Sequence, residues 1–236
     1  MRNKGKFFDI ISLINPKSPA TEAYRTLHTN IHFFGLDEAI QSLTVTSAAS
    51  SEGKSTTCIN LAIAYSQAGK HVLLVDTDLR RPTLHKYFGL KNHEGLTNVL
   101  VKKMDLVEAV HPVKKNLSLL STGPIPPNSV ELLNSKAMSH FMESVKEQYD
   151  VIIYDTPPIG ILTDGAILAG KTDGTLLVIA SGKSQIPAVE QAKVSLMKVN
   201  ARLLGAVYTR HPLNSKDRQG YEYYSETAPA KKRRRR

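Results

Sequence analysis

Cysteine and long apolar runs are the two features that this sequence of 236 residues has least of. Its single cysteine, Cys58, excludes an internal disulfide bond and is typical of a reducing compartment. No apolar run approaches the roughly 20 residues of a membrane-spanning helix, and the basic N-terminus is not followed by an apolar signal segment. We therefore expect a cytoplasmic protein in which Cys58 is a small buried residue of a helix.

Acidic residues are missing from both ends of the chain. Residues 1–6 contain three basic residues and residues 231–236 contain six, so these nine account for most of the net charge of +10. The rest of the chain has 22 basic against 21 acidic residues and is nearly neutral. A nucleic-acid partner is therefore not indicated. Basic ends suit an anionic lipid, an acidic partner or a polyanion, and a solvated tail explains the C-terminal run equally well.

Apolar segments alternate with helical patterns along most of the chain. Strands are predicted at 43–46, 71–75, 117–120, 151–154, 175–180 and 203–208, and helices at 20–34, 55–68, 129–148, 163–169 and 186–199, with short helical pieces within 83–110. Nearly continuous apolar strands between helices predict an α/β fold, with a mostly parallel central sheet and helices on both faces. We divide the chain into an N-terminal segment (1–40), a main domain (41–210) and a C-terminal tail (211–236) that we expect to be flexible.

A loop of small residues follows the first predicted strand and is the most informative stretch of the sequence. It reads Ala-Ala-Ser-Ser-Glu-Gly-Lys-Ser-Thr at residues 48–56, with Ala48 where the usual P-loop pattern has glycine. Such a strand–loop–helix turn aims backbone N–H groups and the positive end of a helix dipole at one point, which suits a nucleotide phosphate chain. Lys54 supplies a mobile charge and the Ser55 hydroxyl a ligand for Mg²⁺. The predicted nucleotide contacts are Ser51, Glu52, Gly53, Lys54, Ser55 and Thr56.

Two further apolar strands end in carboxylates. Asp76 and Asp78 follow the strand at 71–75, and Asp155 follows the strand at 151–154. Because ligands of such sheets bind at the carboxyl ends of the strands, we expect these side chains to lie near the loop. One hydroxyl, one or two carboxylates and phosphate oxygens are enough to hold Mg²⁺. An aspartate at a strand end also frequently caps the next helix, and that alternative stays open.

Together these motifs resemble the bacterial tyrosine kinases of capsule and exopolysaccharide systems. The resemblance covers nearly the whole chain and rests on residues 47–56, 75–83, 123–128, 131–133 and 155–158. It implies a P-loop NTPase-like fold with ATP and Mg²⁺ as cofactors. The related partitioning and septum-positioning ATPases carry an additional lysine at the place of Ala49, so an ATP-dependent positioning switch is the alternative that this residue disfavours.

The resemblance also implies roles for single residues, in a phosphoryl transfer that depends on positioning and charge neutralisation. The implied catalytic residues are Lys54, Asp76, Asp78 and Asp155. The implied ligands of Mg²⁺ are Ser55, Asp76 and Asp155. Either Asp76 or Asp78 accepts the proton of the acceptor tyrosine, and the sequence does not choose between them. Arg80 or Arg81 is expected to bind phosphate or the acceptor peptide.

Three of the nine tyrosines lie within four residues of the polar tail: Tyr221, Tyr223 and Tyr224. There they have no core to join, so they are candidate phosphoacceptors. A merely aromatic disordered tail is the alternative. By similarity, we expect the tail of one subunit to enter the active site of a neighbour and to be phosphorylated there.

The family also has an assembly helix with the pattern Glu-x-x-Arg-x-x-Arg. Here Glu22 and Arg25 match, but the third position is His28. The resemblance implies a homo-oligomer, in the family's case a ring. Since histidine is mostly neutral at pH 7, we expect this assembly to be weakened or pH-sensitive between pH 6 and 8. An ordinary surface helix is the alternative.

Further partners are implied by the resemblance alone. They are a transmembrane activator of the polysaccharide co-polymerase type, which associates the kinase with the membrane, a cognate tyrosine phosphatase and other protein tyrosine substrates. A scaffold that binds nucleotide but transfers phosphate only weakly is a third function that the sequence leaves open.

Overall fold

The computed structural model describes residues 10–36, 38–160 and 162–212 and has a seven-stranded sheet at its centre. The strands are β1 (Ser42–Ser47), β2 (Val72–Asp76), β3 (Val110–Lys114), β4 (Leu117–Leu120), β5 (Val151–Asp155), β6 (Gly174–Ala180) and β7 (Leu203–Thr209). Their order across the sheet is β3-β4-β2-β5-β1-β6-β7. Strands β3 and β4 pair antiparallel, and the other described pairs are parallel. The predicted α/β fold with a mostly parallel sheet is confirmed.

Helices cover both faces of the sheet. Those in the described ranges are α1 (Ile11–Ile14), α2 (Pro19–Phe34), α3 (Lys54–Gln67), α4 (Leu84–Tyr87), α5 (Leu96–Leu100), α6 (Leu106–Ala109), α7 (Ser129–Leu133), α8 (Lys136–Lys146), α9 (Asp164–Ala169) and α10 (Ile186–Lys198). Successive residues of β2 point to opposite faces. Leu74 belongs to the apolar cluster that contains Ile59 of α3, and Leu73 belongs to the cluster that contains Phe141 of α8.

The prediction of one long helix at 129–148 is wrong, because α7 and α8 occupy that stretch as separate helices. Ser135 lies between them. Its hydroxyl oxygen accepts a hydrogen bond from the Met138 N–H at 3.1 Å and caps α8, and the same hydroxyl donates to the Leu132 carbonyl at 2.7 Å. One serine thus satisfies the end of one helix and the start of the next, which periodicity alone does not reveal.

Two short elements were not predicted from the sequence. Strand β3 lies at an edge of the sheet, is half-exposed and contains Pro112, and an edge strand tolerates proline because its N–H side can remain unpaired. Helix α1 has four residues, fewer than an apolar periodicity needs to become visible.

The helix predicted at 20–34 is α2, which packs against α3. It begins where the Ser18 hydroxyl oxygen accepts the Thr21 N–H at 3.1 Å, with Pro19 in the first turn. The division of the chain at residues 40 and 210 stays a prediction. Within the described ranges, no helix is both long and apolar enough to cross a membrane.

The register of the sheet brings the predicted motifs together at one edge. In the parallel pairing of β2 with β5, Asp76 lies beside Asp155. Strand β1 pairs with β5 on its other side, so the loop after β1 starts at the same carboxyl edge.

At the amino-terminal ends of the parallel strands, Asp173 connects three segments. Its Oδ2 accepts hydrogen bonds from the Gln41 N–H (3.1 Å) and from the N–H and hydroxyl of Ser42 (2.7 and 2.8 Å), and its Oδ1 binds Lys146 Nζ at 2.7 Å. Burial by itself raises the pKa of Asp173, but the bonds from Lys146 and Ser42 outweigh it, and the pKa lies below its ordinary value.

We expect Asp173→Asn to lower the free energy of unfolding by about 1.5 kcal/mol at pH 7, because hydrogen bonds to this partly solvated charge are lost. A lowered pKa stabilises the fold above the unfolded-state pKa of about 4, and this stabilisation is lost as the pH falls through the lowered value. In urea unfolding, the difference in free energy of unfolding between the wild type and Asp173→Asn should therefore shrink as the pH falls from 7 to about 3. Glu190→Gln, at an exposed position of α10, serves as the control and should change little. A difference in free energy of unfolding that does not change with pH would contradict this account.

Candidate active site

An open cleft of about 760 Å³ lies at the carboxyl edge of the sheet. Eight of the residues predicted to form the site line it: Ser51, Gly53, Lys54, Ser55, Thr56, Asp78, Arg80 and Arg81. The cleft is also lined by residues that were not predicted, among them Thr83, Lys86 and Arg210.

The loop between β1 and α3 has the backbone conformation of a phosphate-binding turn. Gly53 has φ +100° and directly precedes α3, which begins at Lys54. Ser51 has φ +60°, a left-handed conformation that costs a non-glycine residue energy and persists only where the surroundings enforce it. The N-terminus of α3 therefore points its free N–H groups and its positive dipole end at the cleft.

Glu52 does not extend into the cleft, although it was predicted as a nucleotide contact. Its side chain is fully buried inside the loop, where one oxygen accepts the Ala49 N–H at 2.8 Å and the other accepts the Ser184 hydroxyl. A contact of Glu52 with a ligand would therefore have to come from its backbone. The side chain instead fixes the shape of the loop and joins it to the turn between β6 and α10.

The last strand of the sheet holds the same loop from another side. The Thr209 hydroxyl donates to the Glu52 carbonyl at 2.7 Å. Arg210 Nη2 and Lys183 Nζ donate to the Ser51 carbonyl at 2.8 and 3.2 Å. These contacts enforce the left-handed conformation of Ser51. Arg210 directly follows β7 and lies two residues beyond the strand predicted at 203–208, and this position at a strand end is the signal that sequence reasoning passed over.

Asp76 and Asp155 form a pair of buried acids. Burial raises the pKa of Asp76 first, and the neighbouring charge of Asp155 raises it further. The carboxylate of Asp76 accepts the N–H groups of Thr83 and Leu84 at 3.0 Å each and that of Asp78 at 3.2 Å. Asp76 thus holds the start of the helix that follows β2, which is the role that the sequence left open as an alternative to metal binding. Because its oxygens already accept these N–H groups, Asp76 has less capacity to bind a metal.

Asp155 differs from Asp76 because both of its carboxylate oxygens are buried without a hydrogen-bond partner among the described residues. Burial raises the pKa of Asp155, and the charge of Lys54 opposes that effect. The Ser55 hydroxyl and the Cys58 thiol lie close enough to lower the pKa, but neither makes a well-formed hydrogen bond to the carboxylate. As predicted, Cys58 is buried within a helix.

These residues fit a magnesium ion. Mg²⁺ takes oxygen ligands, keeps several waters and needs only one or two protein groups beside phosphate oxygens. The unpartnered oxygens of Asp155 and the hydroxyl of Ser55 supply such groups. The described residues contain no cluster of three or more His, Cys, Asp or Glu side chains that would suit an all-protein metal site.

Arg80 lines the cleft but is ion-paired. Its Nε lies 3.1 Å from Oδ2 of Asp164, whose side chain is completely buried at the start of α9. The pair connects the segment after β2 to the segment after β5. The guanidinium is therefore only partly available to a ligand.

The predicted assembly residues lie on α2 and outside the cleft lining. Glu22 and Arg25 form an ion pair with each other at 2.9 Å. His28 packs edge-on against Tyr65 of α3, with ring centroids 4.4 Å apart. Burial, and then the charges of His32 and Lys70, lower the pKa of His28. Any change in assembly that depends on the protonation of His28 is thereby moved to a lower pH than the ordinary pKa of histidine implies.

The predicted phosphoacceptors Tyr221, Tyr223 and Tyr224 lie outside the described residues.

Comparison with known proteins identifies the class first. Residues 43–211 match the family described as an AAA domain. In such a P-loop NTPase-like fold, the cleft generally binds a nucleotide together with Mg²⁺.

The particular family follows from closer relatives. The chain is 44% identical to the tyrosine-protein kinase YwqD of Bacillus subtilis (strain 168) over 90% of each sequence. Among solved structures, it is similar to the chimerical protein CapA2B2, with a TM-score of 0.84 and 37% identity over 88% of this chain and 92% of that one. It is also similar to the kinase domain of the Escherichia coli tyrosine kinase ETK, with a TM-score of 0.83 and 29% identity over 90% and 86%. The chain belongs to the family of bacterial tyrosine-protein kinases.

We expect Asp155→Asn to stabilise the ligand-free protein at pH 8, by about 1 kcal/mol or more, because it removes a buried carboxylate charge that has no hydrogen-bond partner. A raised pKa contributes stability that is fully present below about pH 4 and is lost as the pH rises through the raised value. The gain of the variant over the wild type, measured by thermal unfolding in EDTA, should therefore be larger at pH 8 than at pH 5. Glu190→Gln should show no such gain. A variant that is less stable than the wild type at pH 8 would refute the view that burial without a hydrogen-bond partner makes the Asp155 charge destabilising.

Proposed function

We propose that the protein is an ATP-dependent protein-tyrosine kinase that phosphorylates Tyr221, Tyr223 and Tyr224 in the tail of a neighbouring subunit. The observation that carries this proposal is the Asp155 carboxylate, buried and without a hydrogen-bond partner beside Lys54 and Ser55 of the P-loop. A relative that is 44% identical over 90% of the chain and is named a tyrosine-protein kinase supports the choice of reaction.

In this proposal the loop and its helix hold the triphosphate. The backbone N–H groups of residues 51–56 and the positive end of α3 face the phosphates, and Lys54 neutralises the outer ones. Ser55 and Asp155 hold Mg²⁺, directly or through water. When bound, the ion would supply charge neutralisation for the transferring phosphoryl group. Asp76 orders the segment after β2, with at most an indirect part in binding the metal.

The transfer step needs a base for the tyrosine proton. Of the two aspartates that the sequence left open, Asp78 lines the cleft and is partly exposed, whereas Asp76 is fully buried and accepts three N–H groups. We assign the base to Asp78. The phenol oxygen of the acceptor forms a bond to the γ-phosphorus, the bond from phosphorus to the β,γ-bridging oxygen breaks, ADP leaves, and the phenol proton passes to the Asp78 carboxylate.

The cellular setting is part of the same proposal. The enzyme would act in the cytoplasm, bound to the membrane through a transmembrane activator of the polysaccharide co-polymerase type, and regulate capsule or exopolysaccharide synthesis. Its α2 residues would contribute to a homo-oligomeric ring, and a cognate phosphatase would reverse the modification. Names of relatives such as the putative tyrosine-protein kinases CapB of Staphylococcus aureus and EpsB of Ralstonia nicotianae support this setting.

The test is incubation of the full chain with Mg²⁺ and ATP, with an activator fragment present, followed by mass spectrometry. We expect phosphate on the tail tyrosines and a loss of at least about 100-fold in Lys54→Ala, because the outer phosphates lose their positioned counter-charge. Lys198→Ala, an exposed lysine on α10, is the matched control and should keep the wild-type rate.

Two results would contradict the proposal. The first is Lys54→Ala with full tyrosine phosphorylation. The second is a wild-type protein that binds and hydrolyses ATP but places no phosphate on its tail. That second result would favour the positioning switch or the nucleotide-binding scaffold.

A further inference from the structure

The described residues that line the cleft carry an excess of positive charge. They include a single carboxylate, that of Asp78. The cationic side chains among them are those of Lys54, Arg80, Arg81, Lys86 and Arg210. A cleft of one sign attracts ligands of the opposite sign, and the phosphates of a nucleotide explain part of this excess.

Three of these cations already have a task. Lys54 follows the P-loop glycine and faces the proposed phosphate position. Arg80 is held by the buried carboxylate of Asp164. Arg210 donates to the Ser51 carbonyl at 2.8 Å and supports the loop.

Arg81 and Lys86 have no such task. Both side chains are exposed, and neither forms an ion pair or a side-chain hydrogen bond with another described residue. Their backbone is nevertheless ordered. The Arg81 N–H donates to Oδ1 of Asp78 at 2.9 Å, and the Lys86 N–H donates to the Thr83 carbonyl at 3.0 Å. The backbone of both residues is thus held at the cleft, and the Arg81 N–H contacts the carboxylate assigned as the base.

The tail tyrosines have complementary neighbours in the sequence. Residues 221–226 read Tyr-Glu-Tyr-Tyr-Ser-Glu, so that Glu222 and Glu226 flank the proposed acceptors. Lys216 and Arg218 precede this stretch, and the six basic residues at 231–236 follow it. An acceptor placed with its hydroxyl near Asp78 would bring adjacent carboxylates to the rim where Arg81 stands.

We propose that Arg81 and Lys86 select the acceptor by binding acidic side chains next to the tyrosine, so that the substrate class is tyrosine in an acidic peptide, with the tail of a second copy of this chain as one example. This inference rests on the proposed kinase function. Both cations are solvent-exposed, so each pair changes affinity by at most about fivefold. The preference also weakens as salt rises, because the Debye length is about 8 Å at physiological ionic strength.

The experiment uses the full chain with Tyr221, Tyr223 and Tyr224 changed to Phe, so that only an added peptide accepts phosphate. Three peptides cover residues 217–228 and keep Tyr223 as the one tyrosine. They carry Glu, Gln or Lys at positions 222 and 226. The test enzyme adds Arg81→Glu and Lys86→Glu. The charge-matched control adds Lys193→Glu and Lys198→Glu on α10. Peptide KM and the Kd of a fluorescent ATP analogue with Mg²⁺ are measured for each.

We expect the parent enzyme and the α10 control to prefer the Glu peptide over the Lys peptide. The Arg81/Lys86 variant should raise the KM of the Glu peptide about tenfold and invert the order of the peptides, because repulsion replaces attraction. Its Kd for the nucleotide should change less than twofold. Raising the salt to about 1 M should reduce the difference in KM between the Lys and Glu peptides for the parent enzyme.

Several outcomes would overturn the inference. One is an unchanged ranking of the peptides in the Arg81/Lys86 variant. Another is a rise in nucleotide Kd equal to the rise in peptide KM, which would assign the two cations to the phosphates. Failure of the proposed function itself looks different, since the unaltered chain would then phosphorylate neither its tail nor any peptide.

Discussion

The parallel pairing of β2 with β5 is the constraint on which the site depends. It places Asp76 and Asp155 side by side at the end of two buried strands, with burial and mutual repulsion both acting against their ionisation. Asp76 accepts three backbone N–H groups, whereas neither oxygen of Asp155 has a hydrogen-bond partner within the described structure and only the nearby Lys54 charge opposes its burial. The fold therefore maintains a position where a cation is favoured, next to a helix N-terminus where an anion is favoured. A magnesium nucleotide satisfies both requirements.

The P-loop is shaped from outside as much as from within. Its left-handed Ser51 is held by carbonyl contacts from Arg210 and Lys183, and its Glu52 is clamped by Ser184 and Thr209. These partners lie at the end of β7 or directly after β6 and β7. The conformation of the loop thus depends on strands that contribute little to the lining of the cleft. Glu52 lies within the P-loop motif, but its side chain supports the loop rather than contacting a ligand.

Much of the fold and of the site could be predicted from residue patterns. The six strands with continuous apolar runs and the helices α2, α3, α9 and α10 were found, because their apolar patterns are local. The break at Ser135 was missed because the two short helices share one apolar periodicity. The half-exposed edge strand β3, with its proline, was missed because its pattern is weak. At the site, the lysine, the hydroxyl and the carboxylates were found by type and by their position at strand ends.

The sequence by itself determined which residue types stand at which strand ends, and hence that a phosphate and a magnesium ion are the ligands to expect. Only the tertiary structure decided which of those groups are free to act. It paired Arg80 with Asp164, left both oxygens of Asp155 open, turned Glu52 away from the cleft and left Arg81 and Lys86 exposed. The reason is distance along the chain. The partners of Arg80 and Glu52 are up to 132 residues away, and no local pattern encodes a contact of that range.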